Sequence, residues 1–123
     1  MKQILILCLL SAVAMTAVVW RAAAKPNRFG TFSDAQKVQV ADVIAAPASF
    51  LGKNIEVEGT VSEQCKTMGC YFFMPGANGK LRVELQEIAM NAPTREGHQA
   101  RVEGQLEPYD SGYQLFASAI EFK

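Results

Sequence analysis

The sequence predicts an all-β fold: a small five-stranded barrel with short helical turns, set behind an N-terminal apolar leader. Two observations carry this expectation. Apolar and polar residues alternate with period two along most of the chain after Lys53, the pattern of half-buried strands. A Val-Glu-Gly run occurs at Val57-Glu58-Gly59 and again at Val102-Glu103-Gly104, which puts a glycine inside two separate strands. Small barrels need such positions, because their strands bend sharply and a mid-strand glycine tolerates a bulge. A chain of 123 residues suits a single domain.

Residues 1–24 read as an export leader. Lys2 precedes an apolar run from Ile4 to Trp20, and Ala22 and Ala24 form a small-x-small site with cleavage expected before Lys25. The competing expectation is an uncleaved anchor. The run is somewhat short for that, since its residues at about 1.5 Å each reach about 25 Å against a hydrocarbon core of about 30 Å. Cys8 follows Leu5-Ile6-Leu7 rather than a small residue, so lipidation is not expected. Export places the domain in the periplasm or a similar compartment, with membrane contact only if the leader stays. Oxidising surroundings of that kind favour a disulfide between the two cysteines that remain.

Charge narrows the partners. Twelve basic residues balance twelve acidic ones, and loss of Lys2 and Arg21 with the leader makes the domain mildly acidic. Without a clustered basic excess, nucleic acid is not an expected partner. His98 is the single histidine, so no multi-histidine metal cage can form.

Residues 25–37 hold Pro26, Asn27, Gly30 and Ser33 without apolar periodicity and read as a linker or arm before a domain over 38–123. Asp42 is placed to cap one helical turn through Ala46, stopped by Pro47. The first strand alternates Ile55, Val57, Gly59 and Val61. Tyr71 to Met74 is the second, residues 75–79 a turn, and Leu81, Val83 and Leu85 mark the third, completing a meander. Gln86 to Ala92 suits a short helix ended by Pro93. Ala100 to Leu106 and Tyr113 to Phe122 are the fourth and fifth strands. Three strands, a short helix and two strands are the layout of an OB-fold barrel. Glu56, Glu58, Glu84 and Glu103 fall at outward positions and read as a solvated face, while Met74 and Met90 suit core filling.

One motif stands out chemically, Cys65-Lys66-Thr67-Met68-Gly69-Cys70 between the first two strands. Gly69 lets the backbone reverse, so the sulfurs can approach to disulfide or metal-sharing distance. Three readings stay open: a disulfide that pins the loop, a soft-metal site for Cu(I) or Zn(II) with Met68 or His98 as a further ligand, and a redox-active pair. Tyr71 and Phe73 are candidates for a binding face, with at least one residue of Tyr71-Phe72-Phe73 sent into the core by strand alternation. No nucleophile triad, phosphate loop or paired catalytic carboxylates appear, so an enzyme is not expected.

Phe29-Gly30, Pro47, Phe50, Gly52-Lys53, Val57-Glu58-Gly59-Thr60-Val61, Cys65-x-x-x-Gly69-Cys70-Tyr71, Gly97 and Val102-Glu103-Gly104 together resemble the small exported bacterial OB-fold proteins of unknown function with a Cys-x-x-x-Gly-Cys-Trp signature. The chain has Tyr71 where that signature has Trp. This resemblance implies an envelope domain with no established reaction. Residues 95–106 are also similar to the fourth-strand region of the periplasmic haem chaperone of cytochrome c maturation. Its haem-attaching His has no counterpart here, where the last strand runs into Glu121-Phe122-Lys123, so no covalent haem is expected. The expectation from sequence is therefore an exported binding module. Its partner would be an envelope protein or a small ligand, with thiol-disulfide redox work, metal or cofactor handling, or a structural place in an envelope complex as alternatives.

Overall fold

The computed structural model describes residues 27–65, 70–85, 88 and 94–123. The expected leader over 1–24, Met68 and Met90 lie outside them, as does the expected helix over 86–92 apart from Ile88, whose N–H donates to the Leu85 carbonyl at 3.0 Å.

The elements are β1 (Arg28–Gly30), β2 (Gln36–Lys37), α1 (Val40–Ala45), a 3-10 turn (Pro47–Ser49), β3 (Asn54–Thr60), β4 (Tyr71–Gly76), β5 (Gly79–Glu84), β6 (Gln99–Tyr109) and β7 (Gly112–Phe122). The fold is all-β, and the five expected strands are β3 to β7. They build one mixed sheet in the order β2-β3-β6-β7-β5-β4, with β1 paired to β7 off this path. The β2–β3 and β5–β7 pairs are parallel and the rest antiparallel. Inward alternation buries Ile55 and Val57 of β3, Phe72 and Met74 of β4, and Leu81 and Val83 of β5 in one core with Val102, Leu106, Leu115 and Ile120. Val40 and Val43 of α1 join the same core.

Five expectations need correction. The sheet has seven strands, because residues 28–30 and 36–37 of the expected linker pair with β7 and β3. It is also open. The expected meander of β3, β4 and β5 holds only between β4 and β5. β3 and β4 meet at a single bridge just beyond β3, where Ser62 and Phe73 exchange main-chain hydrogen bonds of 2.9 and 2.8 Å. Ladder growth there is limited on both sides: β2 occupies the outer edge of β3 at Ile55 and Glu56, and Pro75 of β4 has no N–H to donate. We refer to this contact as the seam.

Asp42 is not the helix cap. Gln39 occupies that position without a side-chain bond, and Asp42 sits in the first turn, where its charge faces the N-terminal end of the helix. The two strand glycines are not equivalent either. Between Glu103 and Gly104 the β7 partner jumps from Ala119 to Ala117, leaving Ser118 as the extra residue of a bulge. A Cβ on Gly104 would overlap the Phe116 carbonyl, so only glycine fits. A Cβ on Gly59 would meet the Met74 sulfur at 3.3 Å and Val40 Cγ2 at 3.5 Å, both on side chains able to move.

Candidate binding face and cysteine seam

The bulge has a consequence for function. Because Ser118 adds one residue, β7 points Gln114 outward before it and Glu121 outward after it, so one strand serves two separate outer faces. Both faces carry an arginine lying on aromatic rings.

On the first face, β3, β6 and the end of β7 lie under the arm. Arg101 stacks on Phe32 with its guanidinium carbon 3.9 Å from the ring centroid, and its Nη1 reaches Glu56 Oε1 at 3.2 Å. Beside it Glu103 is 1% exposed and accepts from the Ser33 N–H at 3.1 and 2.9 Å, from the Ser33 hydroxyl, and from Asn54 Nδ2 at 3.1 Å. Burial works against its charge, but these donors together with the Ala35 N–H outweigh it and hold the carboxyl below the ordinary glutamate value. The expected solvated face of glutamates is thus corrected for three of its four members. Glu56, Glu84 and Glu103 are buried, each reached by donors that alternation alone does not reveal, and only Glu58 is exposed.

On the second face, β4 sends Phe72 and Met74 inward and leaves Tyr71 and Phe73 half-buried on the outside. β5 sets Lys80, Arg82 and Glu84 opposite them. Arg82 lies between two rings, 4.1 Å from the Tyr71 centroid and 4.4 Å from that of Tyr109. Its Nε donates to Gln114 Oε1 at 3.1 Å and its Nη2 to Glu84 Oε2 at 3.0 Å, while Gln114 Nε2 donates to Glu107 at 2.7 Å. Lys80 sits 4.4 Å over the Phe73 ring and pairs with Glu63 at 2.6 Å. A planar guanidinium fixed by two hydrogen bonds and two rings loses little further freedom when something docks on it, the property a recognition platform needs. The arm's ring Phe32 sits on Arg101 and Arg28, on the first face.

The cysteines border this platform. Cys65 donates its N–H across the seam to the Tyr71 carbonyl at 3.0 Å, and Cys70, next to Tyr71, accepts from the Leu85 N–H at 2.7 Å. The pair stands 3.9 Å apart as two thiols. Burial, the hydrogen bond with Cys65, and the negative charges of Cys65 and Glu84 push the Cys70 thiol above its ordinary value. His98 is held elsewhere, its Nδ1 3.1 Å from the Lys123 carbonyl oxygen and its own carbonyl accepting from the Val61 N–H at 2.8 Å. Among the described residues no three of His, Cys, Asp and Glu converge on a common point, so His98 does not complete a ligand set with the cysteines.

Sequence reading missed Arg82, Tyr109, Gln114 and Glu84 as members of the face. The local signal was present: Lys80-x-Arg82-x-Glu84 has the same outward parity as Tyr71-x-Phe73 across a tight hairpin. Tyr109 had none, since it arrives through the β6–β7 hairpin from far along the chain.

The fold and face define a small all-β domain with a stacked polar-aromatic platform. No protein-family model matches the chain, and no curated protein matches it. Among solved structures it is similar to the hypothetical protein ygiW from E. coli, at a TM-score of 0.55 and 14% identity, over 76% of this chain and 99% of that one. It is also similar to a protein of Leishmania major Friedlin described as an aspartyl-tRNA synthetase, at a TM-score of 0.55 and 12% identity, over 89% of this chain and 26% of that one. At such identities the likeness is one of fold, and it reaches a small bacterial protein of similar extent. Neither comparison bears on the cysteine signature or on the haem chaperone.

Proposed function

We propose that the chain is a non-enzymatic, exported envelope module that holds a partner on the outer face of β4 and β5, with Cys65 and Cys70 as a disulfide-forming pair at its border. The carrying observation is the Tyr71–Arg82–Tyr109 stack, an ordered platform with Tyr109 exposed at its rim. In small barrels of this strand layout the same face and its neighbouring loops are the usual place for ligands. The leader sequence supports export, and with it an oxidising compartment.

For the cysteines, a disulfide is the better reading than Cu(I) or Zn(II). The pair stands 3.9 Å apart beside the main-chain hydrogen bond from Cys65 to Tyr71. Among the described residues no His, Asp or Glu joins them as a third ligand.

The test is photo-crosslinking in cells from two exposed lysine positions, Lys80 on the open face and Lys37 on the arm side. Adducts from position 80 that disappear in Arg82→Ala are the expected result. Equal adducts from both positions, or none from position 80, would refute the assignment.

A further inference from the structure

We propose that Cys65 and Cys70 form a reversible disulfide that closes the open seam of the sheet covalently and thereby regulates the Tyr71–Arg82–Tyr109 platform; this rests on the reading of that face as the binding surface.

Geometry points to it in three ways. The seam is where the two ends of the sheet meet, and its hydrogen bonds run from Ser62 and Cys65 on one side to Tyr71 and Phe73 on the other. The two cysteines stand 3.9 Å apart beside that contact, close enough for side-chain rotation to bring their sulfurs to a bond of about 2.05 Å. Cys70 is bonded in sequence to Tyr71, whose ring forms one side of the Arg82 stack and whose carbonyl holds Cys65. Any opening that lifts residues 62–65 from β4 must separate the two sulfurs. With the disulfide in place that opening is forbidden; with two thiols only hydrogen bonds oppose it.

The segment carrying Cys65 is firmly seated on its far side, which confines motion to the seam. Val61 pairs with Gly97 and His98 through main-chain bonds of 2.9 and 2.8 Å, Gln64 accepts from the Arg95 N–H at 2.6 Å, and Glu96 accepts from the Gln64 N–H at 3.0 Å. Oxidation therefore joins two anchored parts rather than tying down a free loop.

The chemistry is exchange with an external disulfide. One thiolate of the pair attacks a sulfur of that disulfide, forming a mixed disulfide and releasing one thiol. The second cysteine, as thiolate, attacks the mixed bond at the first cysteine's sulfur and releases the second thiol. The pair loses two electrons and two protons, and the external disulfide gains both.

The experiment uses the protein in buffers of glutathione and glutathione disulfide, with thiol counting and amide hydrogen exchange read residue by residue. Glutathione disulfide should remove two titratable thiols. It should slow exchange at Ser62, Cys65 and Phe73 by about thirtyfold, the loop-closure effect of so short a ring, and leave Val102 in the sheet centre nearly unchanged. Reduced glutathione should reverse both. Failure to lose the thiols, or equal exchange at the three seam amides in both states, would overturn the proposal; because both states are wild type, no variant need fold. Arg82→Ala separates this from the binding assignment: a seam response that persists while position 80 keeps its adducts would uphold the disulfide and refute the assigned face.

Discussion

Arg101 and Arg82 occupy matching situations on the two outer faces, each flat on aromatic carbon with a buried glutamate beside it, yet they differ in where the aromatic carbon comes from. Arg101 is covered by Phe32 of the arm, while Arg82 is flanked by Tyr71 and Tyr109 of the sheet itself. On the first face the arm also brings Ser33 to Glu103, and β1 docks beside it with Phe29 edge-on to Phe122 at 6.5 Å. The Arg101 side chain still keeps 24% exposure against 15% for Arg82, so the faces differ in the source of their rings and in their rims rather than in burial of the guanidinium. The second face keeps Tyr109 at 44% exposure. In the proposed function the first arrangement serves stability and the second, through its exposed Tyr109 rim, recognition.

The strongest way to break the comparison is to remove the bulge that separates the faces. Gly104→Val places a side chain against the Phe116 carbonyl, and a loss of about 3 kcal/mol or more in equilibrium denaturation is expected. Gly59→Val, which meets only movable side chains, should cost about 1 kcal/mol. Equal losses would restore the equivalence that the sequence repeat suggested.

Next is the arm. Glu103→Ala strands the Ser33 N–H and hydroxyl and the Asn54 amide, at a cost of about 2 kcal/mol, and should make residues 28–37 the first site of limited proteolysis. Acid should act through the same group. Its native pKa lies below the ordinary value, so the unfolded chain takes the proton first. The stabilisation is complete above the ordinary carboxylate pKa and fades as pH falls through the depressed one. Glu103→Gln should flatten that acid limb of the stability curve, whereas an unchanged limb would place the titration elsewhere.

At the seam, Cys65→Ser with Cys70→Ser should lower the stability of the oxidised protein by about 2 kcal/mol, the entropy of a short ring, and leave the reduced protein little changed. A loss of similar size under reducing conditions would mean that the thiols pack rather than bond.

Much of the sheet was legible because its alternation is strong: Phe72 inward between Tyr71 and Phe73, Leu81 and Val83 inward between Lys80, Arg82 and Glu84. The change of parity between Leu115-x-Ala117 and Ile120-x-Phe122 even records the bulge. What alternation cannot report is what lies on the outward side. Glu56, Glu84 and Glu103 have the parity of solvated residues, and they are buried beside partners: Arg101 and Ser33, brought from far along the chain to Glu56 and Glu103, and Arg82, two residues before Glu84 on the same strand. The arm carries too few apolar residues for a strand pattern, and its pairing depends on edges that exist only once β3 and β7 have formed. The cysteine pair was visible as a motif, but its place beside the Ser62–Phe73 bridge depends on the sheet being open there.

The measurement that bears most directly on the contrast between the faces pairs Phe32→Ala with Tyr109→Ala and reads two quantities for each, the denaturation midpoint and the yield of adducts from position 80. Phe32→Ala should destabilise by about 1 kcal/mol and keep the adducts, because it uncovers Arg101 only. Tyr109→Ala, already half exposed, should change stability by less than about 0.5 kcal/mol and abolish the adducts. Loss of adducts in Phe32→Ala, or their survival in Tyr109→Ala, would contradict the division of the molecule into a stabilising face and a binding one.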